Sequence, residues 1–187
     1  MKKLLLSILV ITLTLSLIAC EEEVPNLLEE TEDVSDADDI EPNQPAEEPS
    51  AFPYQFTATD VYGNTVTESD LGEKEMFLVY QWATWCGPCV NGMPKLAQIA
   101  EKFQDKVGFI ALIDDYDSNL DGAINIIESS GIPETFFMVD ANGDGVKSLI
   151  ELVETGFFPS SVIIYKGELI GPKAGGNYDL IEGLLGE

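Results

Sequence analysis

The sequence contains no histidine and only nine lysines and arginines against 34 aspartates and glutamates, a formal net charge of −25. That imbalance argues against nucleic-acid binding, which needs a basic footprint, and against electrostatic attachment to anionic lipid. Cysteine is also scarce, with three residues: Cys20, Cys86 and Cys89. Without histidine, and with one cysteine beyond the Cys86/Cys89 pair, a four-ligand zinc site cannot be assembled from one copy of the chain. Long apolar runs are missing after the first twenty residues. The run from Leu4 to Ile18 is itself shorter than the roughly 20 residues a spanning helix needs.

What is present concentrates in Trp82-Ala83-Thr84-Trp85-Cys86-Gly87-Pro88-Cys89. The preceding Met76-Phe77-Leu78-Val79-Tyr80 is short, apolar and as long as a buried strand. From Val90 to Phe103, residues Met93, Leu96, Ile99, Ala100 and Phe103 recur at helical spacing, so the cysteines fall where a strand hands over to a helix. Free N–H groups and the positive end of the helix dipole favour an anion there. A thiol so placed has its pKa lowered from about 8.5 into the range of roughly 3.5 to 7.5. Cys86, expected at the exposed mouth of the turn, is the candidate nucleophile. Cys89, one turn further in, is the candidate resolving thiol.

Trp85-Cys86-Gly87-Pro88-Cys89 after an apolar strand resembles the active site of the thioredoxin superfamily. The longer run from Gln81, with Met93-Pro94 following, resembles its membrane-anchored TlpA/ResA-like branch. The resemblance implies an α/β thioredoxin fold with a mixed central sheet flanked by helices, an N-terminal β-hairpin and a central insertion. It implies a redox-active Cys86–Cys89 disulfide and no other cofactor, with Trp85, Gly87, Pro88 and Pro159 supporting the active site. Pro159 is then cis and faces the cysteine pair, and its predecessor Phe158 is bulkier than the threonine or valine usual in relatives. Two acids common in relatives are missing, with Tyr80 six positions before Cys86 and Gly92 three after Cys89.

The chain divides into three zones. Residues 1–19 read as a lipoprotein signal peptide: a positive start at Lys2-Lys3, an apolar stretch, then Leu17-Ile18-Ala19-Cys20. The tetrapeptide resembles a bacterial lipobox, which implies cleavage before Cys20 and its acylation; an uncleaved signal anchor is the alternative. Residues 20–50 lack lysine and arginine and are rich in acid, proline and serine. They read as a disordered, self-repelling tether. Residues 51–187 are long enough for one domain with a core. Within it the pattern predicts a hairpin around Gly63-Asn64, strands over 76–82, 107–114 and 135–139, and helices over 90–106, bent at Pro94, 121–130 and 146–153. A second hairpin over 160–165 and 168–170 and a closing helix over 178–185 follow.

Asp140-Ala141-Asn142-Gly143-Asp144-Gly145 followed by Glu151 has the spacing of a calcium-binding EF-hand loop. Lys147 at position 8 and the lack of a second loop oppose it, and an ordinary acidic turn is the competing reading. Together these features predict an extracytoplasmic, lipid-anchored thiol–disulfide oxidoreductase in a bacterial envelope. By resemblance it reduces disulfides of exported proteins, such as apocytochrome c, and is recharged by a membrane thiol carrier of the CcdA/DsbD kind. The alternatives are a disulfide oxidase or isomerase, a calcium-stabilised binding lipoprotein with a locked bridge, and a peroxidase.

Overall fold

The computed structural model describes residues 50–186. The signal peptide, Cys20 and the tether up to residue 49 lie outside the described residues. Five strands form the central sheet: β3 (Met76–Trp82), β4 (Val107–Ile113), β5 (Phe136–Asp140), β6 (Ser160–Tyr165) and β7 (Glu168–Ala174), in the order β5-β4-β3-β6-β7. The β3, β4 and β5 strands are parallel, whereas β6 runs antiparallel to both β3 and β7. A separate hairpin, β1 (Thr57–Thr59) with β2 (Thr65–Thr67), touches the edge strand β5 through a bridge between Asp60 and Val139. The helices are α1 (Gly87–Phe103), α2 (Tyr116–Ser130), α3 (Lys147–Val153) and α4 (Tyr178–Leu184).

Both faces of the sheet are covered, which is why β3 and β4 are continuous apolar runs rather than alternating ones. Successive side chains of β3 enter two different cores. Met76, Leu78, Tyr80 and Trp82 join Met93, Leu96 and Ile99 of α1. Phe77 and Val79 point the other way, toward Leu149 and Val153 of α3 and toward Phe52 and Phe56 ahead of the hairpin. Phe52 meets Phe77 edge-on at 5.1 Å between centroids, tying the N-terminal segment to the sheet.

The elements fall where the pattern puts them, with shifts at the ends. Helix α1 starts three residues earlier than predicted, at the cysteine motif, and continues through Pro94 as one element. Helix α2 begins at Tyr116 rather than Asp121, and Asn119 inside it leaves helical geometry at φ −151°, ψ 47°. Strand β7 extends to Ala174, past the predicted end at Ile170. It includes Gly171 and Pro172, which have no partner in the β6 ladder because the register shifts there, a place where an edge strand tolerates proline. Among the described residues no helix is long and apolar enough to cross a membrane.

Candidate active site

Cys86 is the N-cap of α1, in extended geometry at φ −83°, ψ 97°. Its carbonyl accepts the first helical bond from the Val90 N–H at 3.0 Å. Its sulfur accepts the Cys89 N–H at 3.2 Å and is joined to the Cys89 sulfur in a disulfide with a Cα–Cα separation of 5.2 Å. Pro88 in the first turn costs no helical bond, because the first N–H groups of a helix have no partner within it. Once the bridge is opened, a thiolate on Cys86 faces an N–H donor and the positive end of a 17-residue helix.

One expectation is corrected. Cys86 does not sit at an exposed mouth: it is 4% exposed and belongs to the core around α1, as does the fully buried Cys89. It shares that core with Trp82, Ala83, Cys89 and Met93, and the partly buried Phe158 packs against the same cluster. Trp85 is 64% exposed and meets Phe158 edge-on at 5.3 Å between ring centroids. The aromatic pair spans from the residue before Cys86 to the residue before Pro159. The Phe158–Pro159 peptide is cis, as is Gly171–Pro172. Beyond Pro159, the Gly175 N–H donates to the Pro159 carbonyl at 2.8 Å, and the Asn177 amide donates to the buried Ser161 hydroxyl at 2.9 Å.

Behind the bridge, the two positions that lack acids are connected. Tyr80 is completely buried, and no well-formed hydrogen bond reaches its hydroxyl. Burial foremost, then the neighbouring Tyr178, hold its pKa far above the ordinary phenol value. Burial also raises the pKa of Tyr178, while Tyr80 pulls it back down. A Cβ built on Gly92 would lie 2.5 Å from the Tyr178 hydroxyl oxygen. Tyr178 from α4 therefore occupies the space beside the helix turn after Cys89, and Gly92 is the residue that admits it. Sequence reasoning did not single out Tyr178. The glycine inside a helical run was the available signal of a close approach.

A second missed group holds the segment before the cysteines. Asp115, after β4, accepts the Thr84 backbone N–H at 2.9 Å and also the Thr84 hydroxyl. The Asn119 side-chain amide donates to the same hydroxyl at 2.7 Å. Next to it, burial first and the Asp115 charge second raise the pKa of Asp114.

The Asp140–Glu151 loop is built as a turn. One Asp140 carboxylate oxygen accepts from the Asn142 backbone and side chain, and the Asn142 amide also donates to the Asp114 carbonyl. Among the described residues no three acidic or cysteine side chains gather into a metal-holding group. The structure thus does not bring Asp140, Asp144 and Glu151 together as calcium ligands. Gly145 has another use, since a Cβ there would be 2.1 Å from the Thr57 carbonyl oxygen. A cavity of about 520 Å³ between the first hairpin and the α2–β5 connection is lined by Asp60, Ile127, Ile132, Phe136 and Met138, and neither cysteine borders it.

A mixed sheet with its cysteine pair at the start of the helix after the central strand, and a cis proline ahead of β6, defines a thioredoxin-fold protein. Solved structures agree in fold. The chain resembles a secreted Mycobacterium tuberculosis disulfide oxidoreductase at TM-score 0.53 and 19% identity, covering 69% of this chain and 92% of that one. StoA from Bacillus subtilis matches at TM-score 0.51 and 20% identity, over 71% and 97%. The chain belongs to the Redoxin family, whose profile matches residues 46–169. Its sequence is similar to the thiol-disulfide oxidoreductase ResA of Bacillus thuringiensis (strain Al Hakam) and that of Bacillus anthracis. Each is 31% identical over 114 residues, 51% of this chain. The match spans 65% of the length of these relatives.

Proposed function

We propose that the protein is a thiol–disulfide oxidoreductase that reduces disulfides of exported proteins through Cys86 and Cys89. The observation that carries this reading is the Cys86–Cys89 bridge with Cys86 as the N-cap of α1. In the dithiol state the Cys86 thiolate attacks one sulfur of a substrate disulfide. The substrate S–S bond breaks, a mixed disulfide forms, and the departing substrate sulfur takes up a proton. Cys89, deprotonated, then attacks the Cys86 sulfur, releases the second substrate thiol and closes the intramolecular bridge. Two electrons pass to the substrate. The exposed Trp85 and the Phe158–Pro159 segment frame the groove, and Gly87 and Pro88 shape the turn.

Similarity to ResA and the lipobox-like start support a place outside the cytoplasm, with lipid on Cys20 and residues 20–50 as a spacer. Apocytochrome c is a fitting substrate class, and a membrane thiol carrier of the CcdA/DsbD type is the fitting electron donor. The near-complete burial of Cys86 favours one competing reading, a binding protein whose bridge stays locked.

Insulin reduction in the presence of dithiothreitol separates them. Turnover that is abolished by Cys86→Ser supports the enzyme, and absence of turnover by the wild-type chain supports the locked bridge. The reduction potential then gives direction. A value near −270 mV, as in thioredoxin, marks a reductant; one near −120 mV marks an oxidant.

A further inference from the structure

The polar group around Thr84 is more elaborate than a loop contact requires. Thr84 lies two residues before Cys86 and is tied by both its backbone and its hydroxyl to Asp115. Three separate features serve that tie. Asn119 leaves helical geometry inside α2, and its side-chain amide reaches the Thr84 hydroxyl. Gly122, one turn later, is where a Cβ would stand 2.5 Å from the Asn119 side-chain oxygen. Finally, the Asp114 N–H donates to the Trp82 carbonyl at 2.9 Å, so the turn carrying Asp115 is fastened to the end of β3. Carboxylate, hydroxyl and amide thus form one chain of donors and acceptors ending on the backbone that leads into the cysteine motif.

We propose that Asp115 is a positioning residue of the dithiol, holding the Thr84–Trp85 arm in register and, through its fixed charge, making the Cys86–Cys89 pair a stronger reductant. The inference rests on the oxidoreductase reading. Two residues of chain reach at most about 7 Å. A carboxylate bonded to the Thr84 N–H is therefore on the order of 10 Å or less from Cys86, within about one Debye length. A negative charge at that range opposes the thiolate, which exists only in the reduced state. It therefore shifts the balance toward the disulfide, so the pair gives up electrons more readily. The positioning half acts through Trp85, whose ring reaches Phe158 from the residue after Thr84.

The test compares the full-length wild type with Asp115→Asn and Thr84→Val. Each is equilibrated with dithiothreitol at pH 7 and assayed for insulin reduction. Asp115→Asn keeps an oxygen for the Thr84 N–H and removes the charge. It is expected to move the equilibrium about fivefold toward the dithiol, which at 29.6 mV per decade is about 20 mV. Thr84→Val keeps the charge and cuts the hydroxyl link. It is expected to leave the equilibrium within about twofold while lowering kcat/KM for insulin severalfold. An Asp115→Asn equilibrium within twofold of wild type overturns the charge effect. Equal shifts in both variants overturn it as well, because they assign the change to structure alone. Unchanged insulin turnover in Thr84→Val overturns the positioning role. A wild-type pair that fails to equilibrate overturns the oxidoreductase reading itself, and this inference with it.

Discussion

Gly92 and Tyr178 should be coupled strongly enough to reverse the sign of a mutation. Replacing a helical glycine by alanine ordinarily stabilises by about 1 kcal/mol, because glycine is the poorer helix former by that amount. At Gly92 the added Cβ meets the Tyr178 oxygen at 2.5 Å, with the Cζ atom next at 3.5 Å. The ring has little room to retreat, since it also lies against Gly176, where a Cβ would fall 2.1 Å from Cζ. Overpacking of this kind costs about 1–3 kcal/mol, so Gly92→Ala in the wild type should destabilise by about 1 kcal/mol net. Tyr178→Phe removes the one atom in the clash and leaves only ordinary contacts. In that background Gly92→Ala should stabilise by about 1 kcal/mol, a coupling of about 2 kcal/mol. Guanidinium unfolding of the four oxidised proteins, read as midpoints at constant m-value, measures the cycle. Equal effects of Gly92→Ala in both backgrounds would refute the packing argument.

Other consequences are simpler to check. Gly145→Ala should destabilise by at least about 2 kcal/mol, because the obstacle is the Thr57 backbone carbonyl of β1 and not a side-chain tip; thermal unfolding reads this directly. Millimolar calcium should leave the melting temperature unchanged, since Asp140 is engaged by Asn142 and the loop acids do not gather; a concentration-dependent rise would reverse that conclusion. Phe158→Thr should cost about 0.5–1.5 kcal/mol from the lost ring contact with Trp85. It should also speed reduction of the bridge by dithiothreitol if the aromatic pair shields it. Asp114 has a raised pKa in the fold, so its ionisation opposes folding above that pKa, and the penalty fades as falling pH protonates it in both states. Asp114→Asn should therefore stabilise slightly at pH 7, by less than about 0.5 kcal/mol for a group still partly in solvent, and the gain should vanish below about pH 4.

The parts of this fold that were legible from sequence are those where one local signal is enough. Met76–Trp82 and Val107–Ile113 are apolar without interruption because each is buried on both faces, and their limits were read almost to the residue. Gly63-Asn64 marked its hairpin, and the Cys-Gly-Pro-Cys run marked the helix start. Local signals failed where a distant segment decides. The polar Tyr116-Asp117-Ser118-Asn119 has no apolar periodicity, yet it forms the first turn of α2, broken at Asn119: the Ser118 and Asn119 N–H groups donate to the Asp115 carbonyl, and the Asp115 and Asn119 side chains are fastened to Thr84 some thirty residues earlier.

The burial of Cys86 follows the same logic. A strand-to-helix turn looks exposed in isolation; Cys86 is buried because it joins the core of Trp82, Cys89 and Met93, against which Phe158, some seventy positions later, also packs. Gly92, noted in the sequence only as the place of a missing acid, makes room for Tyr178, and Gly122, which the sequence pattern did not single out, makes room for Asn119, whose amide bonds Thr84. A helical glycine marks such a contact only where a side chain fills the space it leaves: Gly183 in α4 has nothing within 4 Å of a built Cβ, whereas Gly92 and Gly122 each meet one.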